Sequence, residues 1–174
     1  MILAYASIIG DDPCVRKYPL LLFVMANRLS PLELDAWQAL LHAHDQIVRA
    51  LDAELREEHG ISFGDYDVLL RLARASGRRL RMSELARRVM ISQSGMTRAV
   101  DKLEREGLVE RGRDDDDGRV VHVTLAPSGL ELVRRAAQTH LRGIRAHFTG
   151  RLTETQLRQV SSALQVITGL HEEH

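Results

Sequence analysis

Only one cysteine, Cys14, occurs in the 174 residues. It cannot close an intrachain disulfide, so the fold does not depend on an oxidising compartment, and a cytoplasmic setting is the default expectation. Aromatic residues are scarce at 4%. The apolar content leans instead on Leu, Val and Ala, and with abundant Arg and Glu that mixture favours helices. Long hydrophobic runs are also missing. The longest, residues 20–26, falls far short of the ~18 residues of a membrane span. Arg16 and Lys17 precede it, but Asn27 and Arg28 follow at once and no small-residue cleavage pattern stands out, so it does not read as a signal peptide. There is no net charge, since 24 Lys and Arg balance 24 Asp and Glu, which argues against a general polyanion binder. No P-loop, G-x-S-x-G, H-E-x-x-H or glycine-rich dinucleotide turn occurs. No enzyme, cofactor or catalytic residue is expected.

The zero balance hides segregation. Residues 78–113 hold ten Lys and Arg against five Asp and Glu, so a basic element sits within a neutral chain. The histidines do not suggest a metal. His42 and His44 are two apart and cannot share a helix face, and His140 and His147 lack an evident third ligand. They read as surface or interface histidines.

Residues 1–28 differ in pattern from the rest, with an Asp-Asp-Pro break at 11–13 and no sustained helical period. Two readings stay open: translation begins at Met25, or the segment is a true N-terminal helix. Then Ser30-Pro31-Leu32-Glu33 gives a capping box with proline at the first helical position. Positions 34, 37, 41, 44, 48, 51 and 55 follow at steps of three and four, all apolar except His44, up to a stop at Gly60. A seam this regular wants another helix against it.

Ser62 caps a second helix with Tyr66, Leu69 and Leu72 inward. A basic stretch, residues 78–81, suits a short strand. Ser83 caps a third helix carrying Leu85, Ala86 and Val89. A fourth follows Ser92, keeps Met96, Val100 and Leu103 on one face and stops at Gly107. The period then changes to strands at 108–111 and 119–125 around a polar turn that includes Asp114–Asp117. Two helices close the chain, one over about 127–148 and one opened by the capping box Thr153-Glu154-Thr155-Gln156. The expected fold is mainly α with a small β-hairpin wing, a winged helix-turn-helix core flanked by helical regions.

The order helix, tight turn, helix, hairpin in residues 81–125 is that of a winged helix-turn-helix. The major groove of DNA admits one α-helix, whose exposed residues must donate to base edges and phosphates. Opposite Met96, Val100 and Leu103 the fourth helix offers Gln93, Ser94, Thr97, Arg98, Asp101 and Lys102. Gln93 and Arg98 are able to make bidentate contacts to adenine and guanine. Ser92, Ser94 and Thr97 suit phosphates near the helix N-terminus, where backbone N–H groups and the helix dipole favour an anion.

The run RMSELARRVMISQSGMTRAVDKLEREGLVERG (81–112), followed by DDDDGRVVHVTLAPSG (114–129), resembles the MarR (multiple antibiotic resistance) family. Asp117-Gly118-Arg119, then Val123-x-Leu125 and Gly129, match that family's wing signature. The resemblance implies a homodimer built from helices in 29–60 and 127–174, a DNA-binding region over 61–126, and a repressor of a pseudo-palindromic operator. Arg98 falls on the family's recognition-helix arginine and Arg119 on its wing arginine. Arg113 joins them as an expected DNA contact.

It also implies a pocket for a small anionic or aromatic effector between the dimer-forming helices and the DNA-binding lobe. Trp37, His44, Tyr66 and Asp67 are its candidate lining. Arg111, with Asp67 and Arg98, falls where urate-responsive relatives have ligand-linked residues. The alternative is that Trp37 and Tyr66 simply fill core. Cys14 lacks the framework of the family's redox sensors and reads as an inert thiol. Two departures stand out: the acidic run 114–117 where the family often has proline, and Ala126 where a capping threonine is usual. The competing function class is a winged helix used for protein contacts, with no specific DNA binding.

Overall fold

The computed structural model describes residues 29–89, 93–113 and 120–169, with Gln93 and Ser94 by backbone alone. Cys14, the possible start at Met25, Ser92, the acidic run 114–117 and Arg119 lie outside the described residues.

The first helix, α1, spans Pro31–His59. Its start is the capping box expected from the sequence: the Glu33 amide donates to Ser30 Oγ at 3.3 Å, and the Ser30 amide donates to Glu33 Oε2 at 2.7 Å. The chain divides within this helix into two compact units, one up to Asp45 and the other from Gln46 onward. In the first, Leu32, Trp37, Leu40 and Leu41 are exposed. In the second, Leu51 and Leu55 continue the same seam into a hydrophobic core.

The remaining elements follow in chain order, and every helix and strand but the last helix contributes to that core. Helix α2 spans Phe63–Arg74, capped by Ser62, whose hydroxyl accepts from the Asp65 amide at 3.1 Å. A 3-10 turn over Ser76–Arg78 leads to strand β1, Arg79–Arg81. Helix α3 is Met82–Arg88, and helix α4 is Gln93–Arg105. Strands β2 (Val109–Arg113) and β3 (Val121–Leu125) form the hairpin. The sheet order is β1-β3-β2, antiparallel throughout, with Leu80 opposite Val123 and Val109 opposite Leu125. Helix α5 runs Pro127–His147 and helix α6 runs Glu154–Thr168, the latter opened by the reciprocal capping box of Thr153 and Gln156.

Two local expectations change. Ser83 is not the cap of α3; Arg81 holds that place without a side-chain cap bond. The reason is the sheet: Arg81 is still paired with His122 in the β1–β3 ladder, so the helix begins directly after it. Strand β2 reaches Arg113 rather than Arg111, because its pairing with β3 extends to Val121. Ala126 caps α5 without a side-chain bond. The junction is held otherwise, by the Ala126 amide on Leu108 O (3.0 Å) and Ser128 Oγ donating to Gly107 O (2.6 Å).

Helices α2 and α5 meet at His140, whose ring lies 5.0 Å from that of Tyr66 and 5.9 Å from that of Phe63. Among the described residues its buried Nδ1 has no hydrogen-bond partner. Burial pushes the imidazole below its ordinary value of 6.5, with Asp67 opposing and Arg74 reinforcing the shift. A histidine depressed in the folded state takes up more protons when unfolded, so its share of stability is present above pH 6.5 and lost as pH falls from there through the folded value. His140→Phe should therefore flatten the decline of the urea midpoint on acidification from about pH 7.5 to 5. Equal declines in both proteins would remove His140 as a cause.

Candidate nucleic-acid interface

Helix α4 buries one stripe completely. Met96, Val100 and Leu103 have 0% exposure, the three positions that the 3.6-residue period places on one face. The opposite face is exposed at Thr97, Arg98 and Arg105. Gln93 and Ser94 belong to its first turn by backbone.

Each flank of α4 is tied to a neighbouring element by opposite charge. On the wing side, Arg111 of β2 lies against Asp101 Oδ1 at 2.5 Å and Glu104 Oε2 at 3.7 Å. Its guanidinium also donates to the Thr97 carbonyl at 3.2 Å, while its amide donates to Glu104 Oε1. On the other flank Lys102 donates to Asp65 Oδ2 of α2 at 2.6 Å. Asp101 and Lys102, both on the polar side of the helix, thus have their charges offset from within the protein.

The wing strands, β1 and the start of α3 enclose an open crevice of about 690 Å³ beside α4, with Arg81, Ser83, Thr97, Arg111 and Arg113 among its lining. Three guanidinium groups make it basic. Arg113 is exposed at the end of β2. Of the DNA contacts expected from the sequence, the structure brings Thr97 and Arg113 to one crevice and leaves Arg98 exposed next to Thr97 on α4. It places Lys102 on a flank, in a salt bridge.

The expected pocket residues separate by role. Tyr66 is 2% exposed and fills the core beside His140. Asp67 next to it pairs with Arg71 at 3.1 Å. Arg111 directs its bonds to α4. In the first unit, Trp37 and His44 are exposed on α1. Among the described residues no group of three or more His, Cys, Asp or Glu is placed to hold a metal ion, and no helix is long and apolar enough to cross a membrane.

Sequence reasoning missed Asp65 and the inward role of Arg111. For Arg111 a signal existed. In a strand, residues two apart share a face, so buried Val109 already sends Arg111 toward the helix side.

Known proteins share this fold. A profile described as MarR family matches residues 59–120. The crystal structure of AbsC, a MarR family transcriptional regulator from Streptomyces coelicolor, is 30% identical, with a TM-score of 0.75 over 81% of this chain and 95% of AbsC. Sco3205, a MarR family regulator from the same organism solved in complex with DNA, is 31% identical, with a TM-score of 0.76 over 83% of this chain and 91% of its own. Among curated sequences, the transcriptional repressor IacR of Pseudomonas putida is 28% identical over 49% of this chain and 51% of its own length. The transcriptional regulator AdcR of Streptococcus pneumoniae is 40% identical over 33% and 37%. The chain spans about half or less of the length of those two curated relatives.

Proposed function

The chain belongs to the MarR family of DNA-binding transcriptional regulators, and from that premise we propose that it is a homodimeric repressor of a pseudo-palindromic operator, released by a small anionic or aromatic effector. The observation that carries the reading is α4 itself. It is a helix with one fully buried stripe, both flanks tied to neighbours, and an exposed strip bearing Thr97, Arg98 and Arg105. A helix so held presents donors at a fixed pitch, as reading of base edges in the major groove requires.

Dimerisation is supported by apolar side chains that each unit leaves uncovered. These are Leu32, Trp37, Leu40 and Leu41 on α1, and Leu164, Val166 and Ile167 on α6. Repression is supported by the similarity to IacR, named as a repressor. Release by an effector would act through linkage: a ligand that favours a spacing of the two lobes unlike the half-site spacing weakens DNA binding. Of the candidate effector contacts read from the sequence, Trp37 and His44 are the exposed pair, both on α1.

Arg98→Ala decides the central point. Loss of a bidentate contact should weaken binding to the duplex upstream of the protein's own gene by about 1–3 kcal/mol and relax the preference over scrambled duplex. Wild-type affinity should fall steeply with salt. If Arg98→Ala and Arg119→Ala both bind as the wild type does, the assignment fails. A winged helix used only for protein contacts would show no preference between the two duplexes.

A further inference from the structure

On the premise that α4 reads DNA, we infer that Lys102 is a positioning residue, anchored by the buried carboxylate of Asp65, which sets the pitch of the recognition helix without itself contacting DNA. Asp65 stands three residues after the Ser62 cap of α2, where a carboxylate ordinarily turns back to the cap amide. Here it does not. Its Oδ2 accepts from Lys102 Nζ at 2.6 Å, and the residue is only 7% exposed.

The start of α2 is tied to α1 by a different carboxylate. The amide at the start of α2, that of Phe63, is taken by Asp52 Oδ1 of α1 at 2.8 Å. Asp52 in turn pairs with Arg56 at 2.6 Å, and the charge of Asp65 acts on Arg56 as well. Lys102 has a second acidic neighbour, Glu106, at 4.0 Å. With one carboxylate in contact and another near, the ammonium group has little net field left to offer a phosphate.

Geometry on the helix agrees. At about 100° per residue, Lys102 lies on the flank toward α2, whereas Thr97, Asp101 and Glu104 turn toward the wing. Arg111 grips that second side. The recognition helix is therefore held between two ion pairs of opposite polarity, acid from α2 on one flank and base from β2 on the other. Removing either fixes one edge only.

The two roles for Lys102 predict opposite signs for Asp65→Asn. If Lys102 were a phosphate contact, freeing it from Asp65 would tighten DNA binding, and Lys102→Met would reduce the slope of log affinity against log salt by about 0.9. If it is an anchor, Asp65→Asn and Lys102→Met each weaken binding to the upstream duplex by about tenfold, and the double variant is no weaker than either single one. The salt slope stays at the wild-type value, and Lys102→Arg, which keeps the pair, keeps the affinity.

Hydrogen exchange on the free protein supplies a readout that needs no DNA. Amides of α4 should exchange faster in Asp65→Asn while those of α5 hold their protection. Unchanged exchange in α4, tighter binding by Asp65→Asn, or a reduced slope in Lys102→Met would each overturn the assignment. If the wild type shows no preference for the upstream duplex, the operator reading falls, and the exchange measurement still decides the anchor.

Discussion

Alanine at position 129 is expected to lower the stability of the winged lobe by about 3 kcal/mol, a large effect for one added methyl group. A Cβ built on Gly129 would stand 2.2 Å from the carbonyl oxygen of Leu108 and 2.8 Å from Leu125 Cδ1. The first of these is backbone, and it is already engaged, since Leu108 O accepts the Ala126 amide at 3.0 Å. It cannot yield as the end of a flexible side chain would. Relief requires moving the first turn of α5 away from the base of the hairpin, which would also strain the Ser128–Gly107 bond. The urea midpoint should fall with the m-value unchanged. An unaltered midpoint would show that α5 and the hairpin are not held this closely.

The second large effect is expected at Leu103. It is fully buried on the inner stripe of α4 within the cluster that includes Val109, Val123 and Leu125. Truncation to alanine removes its apolar contacts and leaves a cavity in a core braced by a sheet and several helices, a loss of about 2–5 kcal/mol. The comparison with Arg98→Ala makes the result informative. Arg98 is exposed, so its removal should leave stability within about 0.5 kcal/mol while weakening DNA binding. Leu103→Ala should lower stability outright, and DNA binding only through it. Both variants are best compared at one protein concentration, because any assembly adds to apparent stability. A Leu103→Ala protein with the wild-type urea midpoint would contradict the packing of α4.

Features set by neighbouring residues were legible in the chain. The capping boxes at Ser30–Glu33 and Thr153–Gln156 form as their spacing implies, because both partners lie within one turn. The stripe of Met96, Val100 and Leu103 is buried because a 3.6-residue period admits one inward face there. Ser83 misled because serine before an amphipathic run is a strong local cap signal, while pairing of Arg81 with His122, far away in sequence, fixes where the helix begins. The same limit hid Asp65 and Lys102, which lie 37 residues apart. Nothing local distinguishes a lysine aimed at a phosphate from one aimed at a carboxylate on another helix.

Holding α4 by its flanks also bears on how such a protein diversifies. The side chains that fix the helix are Asp65, Lys102, Arg111, Asp101 and Glu104; Arg98, between the two ties, has no ion pair among the described residues. On the proposed reading, exchange at Arg98 would alter the operator preferred while leaving the mount intact. Descendants of one ancestral gene can drift to new promoters by changing letters that folding does not inspect.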